Sequence, residues 1–297
     1  MPHLTDWNDT FLELGSMNYR HAFHAGNFAD VHKHVTLLAL LERLKRKPTP
    51  LFFLDTHAGR GAYDLQSGDS ARASEWLGGI GRLRGANPTS EDLRSYMQAT
   101  GISDTQPTHQ LQHYPGSPLL ALQTLRDIDR AAFVEQQPQE ARALEQELPR
   151  RRNVAVVCGD GYASLRAYLP PKENRGLVLI DPPYESENEF AAVERALKFG
   201  LTRWPNGMFA AWYPIKASAE SQRFLTALQN SGLRKLLRLE LLIRPADSPL
   251  GLNGSGLVVA NPPWQWDQEM RTTMTELQLL LSPDEKGDAL VDWLVRE

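Results

Sequence analysis

The sequence predicts a doubly wound α/β sheet with a small helical insertion, and three observations support this. Short apolar runs recur along the chain, bounded by proline, glycine or acidic residues, with helical stretches between most of them. The first run passes directly into a glycine turn, Asp55-Thr56-His57-Ala58-Gly59-Arg60-Gly61. One stretch, from about Tyr63 to His113, breaks the alternation with apolar residues at helical intervals.

Residues 1–16 show no consistent period and are set aside as a prefix, leaving 17–297 as the domain. Val31, Val35, Leu37, Leu38, Leu41 and Leu44 recur at mostly helical spacing and predict a helix over 30–46 that stops near Pro48. Leu51-Phe52-Phe53-Leu54 is short, apolar and turn-bounded, as a buried parallel strand should be. The insertion at about 63–113 holds Trp76, Leu77, Ile80, Leu83, Leu93, Tyr96 and Met97, punctuated by Pro88 and Pro107. In Tyr114-Pro115-Gly116-Ser117-Pro118, Ser117 is expected as an N-cap and Pro118 as the first helical residue of the run to Arg126. Strands follow at Ala131–Val134, Val154–Val157, Leu177–Ile180 and Met208–Trp212. A terminal pair, Leu233–Ile243 and Gly256–Ala260, completes seven strands.

At 297 residues, with 41% hydrophobic and 23% charged content, the chain reads as one globular domain plus an insert. No run nears the ~20 apolar residues of a membrane span, and the start lacks a signal-peptide layout, so a cytoplasmic protein is expected. The single cysteine, Cys158, excludes an internal disulfide framework and a cysteine-based zinc site. A net charge of -4 gives no global electrostatic case for nucleic acid. Basic clusters at 45–47, at 150–152 and around Arg234, Lys235 and Arg238 read first as solvated helix ends and faces.

The site is expected at the carboxyl edge of the sheet, where open α/β folds bind ligands. Gly59 lies in the strand-to-helix turn where backbone approaches a nucleotide-type ligand, although the third glycine of a dinucleotide fingerprint is missing. Glu135 ends the second strand and suits a ribose diol. Asp160-Gly161 follows the third, where a carboxylate can receive an adenine amine. Ser117 starts a helix that either is simply capped or also offers amide N–H groups to a ligand carboxylate.

Asp181-Pro182-Pro183-Tyr184 carries the chemistry. Prolines cannot extend a ladder, so the Asp181 carboxylate and Pro182 carbonyl stay free to accept from an amine, and Tyr184 offers a ring for stacking a base. This is the (D/N)-P-P-(Y/F/W) pattern of S-adenosylmethionine-dependent amino-methyltransferases. Asn261-Pro262-Pro263-Trp264 satisfies it as well. It follows a strand expected to run antiparallel to the others, which would place it at the opposite edge and leave catalysis to Asp181.

Histidines crowd the start, with His21, His24, His32 and His34 near Lys33. Their spacing matches no metal-binding motif, so no metal is expected. A cap over cofactor and target base is the preferred reading, with Lys33 as a cation and Tyr19 as a stacking ring.

Together, Tyr19-Arg20-His21, Phe23-His24-Ala25-Gly26-Asn27, Lys33-His34, Leu54 to Gly61, Tyr114 to Pro118, Asp181 to Tyr184, Trp212-Tyr213-Pro214, Ser255-Gly256 and Asn261 to Trp264 resemble the bacterial large-subunit ribosomal RNA adenine-N6 methyltransferase J family. The resemblance covers nearly the whole chain from Met17 onward; the prefix departs from it. It implies a Rossmann-like methyltransferase that uses S-adenosylmethionine and acts, as a monomer, on an adenine of protein-free 23S rRNA. It also implies Asp181 as the catalytic residue, with His34, His57, Ser117, Glu135, Asp160, Gly161 and Asp181 around the cofactor. Tyr19 would face the target nucleotide, with Lys33 close by. A DNA adenine methyltransferase shares every motif except the histidine segments, and a protein-glutamine methyltransferase would also suit Asp-Pro-Pro-Tyr. A nicotinamide-dependent dehydrogenase has no use for that motif.

Overall fold

In the computed structural model, residues 24–66, 74–102, 112–282 and 286–297 are described. Helix α1 (Phe28–Lys45) precedes β1 (Phe52–Asp55), and two short strands, β2 (Ala62–Asp64) and β3 (His113–Pro115), frame the insertion with its helix α2 (Glu91–Thr100). Helix α3 (Ser117–Thr124) leads to β4 (Arg130–Glu135), α4 (Pro138–Glu147), β5 (Val154–Cys158) and α5 (Gly161–Tyr168). Then come β6 (Gly176–Ile180), α6 (Glu189–Arg203), β7 (Met208–Ile215), α7 (Glu220–Gln229), β8 (Leu236–Leu242), β9 (Gly254–Ala260), α8 (Trp266–Leu281) and β10 (Asp288–Val295).

The main sheet has eight strands in the order β10-β8-β9-β7-β6-β1-β4-β5, one more than expected. The extra strand, β10, pairs antiparallel with β8, and Arg238 holds Asp292 across that ladder at 2.7 and 2.8 Å. Strands β5, β4, β1, β6 and β7 are mutually parallel, and β9 runs against both β7 and β8. The order reverses between β1 and β6, the switch point at whose carboxyl edge open α/β sheets bind ligands.

Alternation sorts the strand residues into two layers. Phe53, Phe133, Leu177, Leu179 and Leu257 pack on one side with α1, α3, α4 and α8, while Phe52, Leu54, Val134, Val178 and Phe209 pack on the other with α5, α6 and α7. The insertion joins the first layer: Trp76, Ile80, Leu83, Leu93 and Tyr96 are buried in the same cluster as α1. Helix α1 is therefore covered on nearly every side, and Asp30, His32, Lys33, His34 and Thr36 are buried along with its leucines. Each fully buried leucine contributes roughly 1.5–3 kcal/mol, and that apolar burial offsets the cost of the polar positions.

The start of α1 explains the His24-Ala25-Gly26-Asn27 segment. Asn27 caps the helix by accepting from the N–H groups of Ala29 and Asp30 at 2.9 and 3.0 Å, and its amide donates to Glu75. Gly26 has a φ of +74°, and its carbonyl accepts from Ile80 N–H at 2.8 Å. A Cβ at Gly79 would lie 2.1 Å from that carbonyl oxygen, so the insertion docks backbone to backbone on the helix start. Among the described residues, no helix is long and apolar enough to cross a membrane.

Candidate active site

Four strands deliver acids to the carboxyl edge: Asp55 from β1, Glu135 from β4, Asp160 just past β5 and Asp181 just past β6. Thr56 bridges the switch point, with its N–H and hydroxyl both donating to the Leu179 carbonyl at 3.1 and 2.9 Å.

On the β4 side, Glu135 accepts from Gly59 N–H at 2.9 Å and from Gln137 N–H at 2.7 Å. Each carboxylate oxygen keeps a further lone pair, so the group can still receive hydroxyls. Burial pushes its carboxyl above the ordinary range, with the two amides opposing. Asp160 is exposed and caps α5 by accepting from Ala163 N–H at 3.0 Å. A Cβ at the next residue, Gly161, would lie 2.1 Å from the Thr56 carbonyl, so only glycine lets α5 start this close to the β1 turn. His57 stands between these turns, edge-on to Tyr162 and 2.8 Å from the Thr56 hydroxyl, and burial brings its imidazole down to about 4.

Asp55 is fully buried. It accepts from the Ser117 hydroxyl at 2.7 Å and from His57 N–H at 3.2 Å, and burial pushes its carboxyl up to about 7. Ser117 is consequently not the expected N-cap. Gly116 occupies that position, and Ser117 is the first helical residue, its hydroxyl committed to Asp55.

On the β6 side, Lys33 reaches from α1 to Asp181, with Nζ 2.5 Å from Oδ2, and also contacts Asp30 Oδ1 at 2.8 Å. Burial disfavours the ammonium, but the Asp181 and Asp30 carboxylates outweigh it and hold Lys33 well above its ordinary value. Asp30 itself is anchored by Gly26 N–H at 3.0 Å. An open cavity is lined by Asp181, Lys33, Asp30, Tyr184, Trp212, Lys216 and neighbouring residues.

Tyr184 adopts a φ of +53° and donates its hydroxyl to the Trp212 carbonyl at 2.7 Å, with its ring against Phe190 and Trp212. Pro182 is buried, and among the described residues no hydrogen bond is made to its carbonyl. His34 lies deeper than expected, 1% exposed and bonded through Nδ1 to the Tyr114 hydroxyl at 2.7 Å. Its neighbour His32 meets Ser255 at 2.9 Å, a hydroxyl that Trp212 also reaches, and burial brings this imidazole down to about 3. Tyr19 and His21 lie outside the described residues.

The second Pro-Pro motif sits at the far edge, as the antiparallel course of β9 requires. Asn261 donates its amide to the Pro205 and Gly207 carbonyls at 2.7 and 2.9 Å, which ties the β9 exit to the turn before β7.

Sequence reasoning singled out Asp181, Lys33, His57, Gly59, Ser117, Glu135, Asp160, Gly161 and Tyr184, and all of them gather at this edge. It missed Asp30 and the buried acid Asp55. Asp30 was legible as an acid one helical turn before Lys33. Asp55 was hidden because its burial depends on α1 and α3. Among the described residues, no group of three or more His, Cys, Asp or Glu is arranged to hold a metal.

A family model described as Ribosomal RNA large subunit methyltransferase D, RlmJ, matches residues 48–295. The chain is 40% identical over 281 residues to the Ribosomal RNA large subunit methyltransferase J of Haemophilus influenzae, a match spanning 95% of this chain and 100% of that relative. The Escherichia coli K12 protein of the same description is 38% identical over 281 residues, with the same coverage. The crystal structure of protein LPL1258 from Legionella pneumophila superposes with a TM-score of 0.80 at 34% identity, covering 91% of this chain and 98% of that one.

Proposed function

Because the chain belongs to the ribosomal RNA large subunit methyltransferase J family, we propose that it transfers a methyl group from S-adenosylmethionine to the N6 amine of an adenine in 23S rRNA. One arrangement carries the reading: Asp181, fixed by Lys33 and Asp30, faces an open cavity at the switch point beside Tyr184 and Trp212.

S-adenosylmethionine, when bound, supplies an electrophilic methyl on a positively charged sulfonium. The donor set fits it, because Glu135 and Asp160 end adjacent strands at this edge as acceptors for hydroxyls and an amine, and Gly59 and Gly161 mark the turns beside them. In this reading Glu135 receives the ribose hydroxyls, Asp160 receives the adenine amine, and Gly59 and Gly161 let the backbone come close. Ser117, His57 and His34 support that cradle from α3, the β1 turn and α1.

Lys33 occupies Asp181 Oδ2, which leaves Oδ1 to accept one N6 proton while the Pro182 carbonyl accepts the other. Those contacts would aim the nitrogen lone pair at the sulfonium methyl, so that the N–C bond forms as the S–C bond breaks, S-adenosylhomocysteine leaves and one N6 proton is released, with no covalent enzyme intermediate. Holding reactants in such alignment supplies up to roughly 7–11 kcal/mol of the barrier. Tyr184 and Trp212 wall the base pocket, and the family resemblance assigns Tyr19 to the target nucleotide. Residues 17–297 form the methyltransferase unit, acting as a monomer in the cytoplasm on protein-free rRNA.

The test is transfer of labelled methyl to naked 23S rRNA, followed by mapping of the modified adenine. Label on one N6 position with the native protein, and none with Asp181→Ala, is the expected result. Label on DNA or protein instead would overturn the reading.

A further inference from the structure

The connection between β8 and β9, residues 243–253, plays no part in the chemistry above, yet it leaves the sheet at the same edge as Asp181, because β8 runs parallel to β7. Its return limb enters the site, where Leu252 lines the cavity beside Lys33, Asp181 and Trp212. Buried Asn253 fixes the loop from inside. Its Nδ2 donates to the Ala246 and Ser248 carbonyls at 3.0 and 2.6 Å, and its own N–H donates to the Ile215 carbonyl at 2.8 Å. Ser248 N–H closes a turn on Pro245 at 3.0 Å. A loop clamped in this way holds its tip in one shape.

At that tip Leu250 is 73% exposed. A lone exposed leucine is ordinary. This one stands two residues from the cavity wall on a clamped loop, and Arg244 reaches its carbonyl at 3.5 Å, which brings a guanidinium to the same rim. Exposed Lys216 lies in the cavity lining. An apolar tip flanked by cations beside a base-sized opening matches the chemistry of a nucleic-acid stack flanked by phosphates.

We propose that Leu250 is a wedge that enters the RNA stack where the target adenine leaves it for the Asp181 cavity, with Arg244 and Lys216 contacting the flanking phosphates. The inference rests on the adenine-methylation reading and deepens it. Swinging a base out forfeits its stacking and pairing, and an apolar side chain placed in the gap offsets part of that loss. Leu250 is thus a positioning residue: it favours the extruded state and touches no reacting atom.

The experiment compares the native chain, Leu250→Ala and Leu250→Met on two RNA oligonucleotides that carry the mapped target adenine, one paired in a duplex and one single-stranded. A 2-aminopurine beside the target reports unstacking. The expected result is a fall of about tenfold in kcat/KM, equivalent to about 1.4 kcal/mol, for Leu250→Ala on the duplex alone. The 2-aminopurine signal should fall with it, and Leu250→Met should restore both. Equal loss on both RNAs, or no loss on the duplex, overturns the wedge. If the native chain methylates neither RNA nor intact 23S rRNA, the functional reading fails first and takes the wedge with it.

Discussion

Replacing Asp55 with asparagine should make the chain more stable at neutral pH, by an amount that grows with pH. Asparagine stands in for the protonated acid, and the Ser117 hydroxyl can serve it as donor or acceptor. The carboxyl titrates near 3.8 when unfolded and at about 7 in the folded chain, where burial is the main cause. A raised folded pKa means that the native state binds the proton more tightly. This group's stabilisation is therefore complete below 3.8 and is lost as pH rises through about 7. About three units at 1.36 kcal/mol each give at most about 4 kcal/mol. Urea unfolding of both proteins at a series of pH values from about 4 to about 8 measures it. His32 and His57, both lowered by burial, titrate in the same window with opposite sign, and subtracting one protein from the other cancels them. A stability difference that stays constant with pH would refute the reasoning.

Lys33→Ala leaves the buried Asp30 and part-buried Asp181 carboxylates without their shared cation; the expected cost is up to about 3–5 kcal/mol, read by chemical denaturation. Gly161→Ala drives a Cβ against the Thr56 carbonyl, so calorimetric titration with S-adenosylhomocysteine should show at least about tenfold weaker binding while far-UV circular dichroism stays native. Asn261→Ala frees the Pro205 and Gly207 carbonyls and should lower stability by about 0.5–1.5 kcal/mol in chemical denaturation. Methyl transfer should remain intact, and its loss would reopen the choice between the two Pro-Pro motifs.

The parallel strands and their acidic ends were legible because each is a local pattern: an apolar run, then an acid or glycine. The two Pro-Pro motifs could be assigned to opposite edges of the sheet because β9 runs antiparallel to β7. Strand β10 escaped because Asp288 and Asp292 break its apolar reading, and only the Arg238 partner explains Asp292 there. The three-residue ladder of β2 and β3 is too short to show a period. What sequence could not supply was pairing at a distance. The Lys33 contact with Asp181 spans 148 positions, so Lys33 read as a cation near the substrate and not as the clamp on Asp181.

That same reach has a consequence for synthesis. Helix α1 emerges from the ribosome early, yet Lys33 meets Asp181 only 148 residues later and His32 meets Ser255 only 223 residues later. Until β9 has been made, α1 lacks the wall that buries it, and its charged residues have no stable place in an apolar layer. Helix α1 therefore completes its packing only when β9 joins the sheet and brings Ser255 to His32.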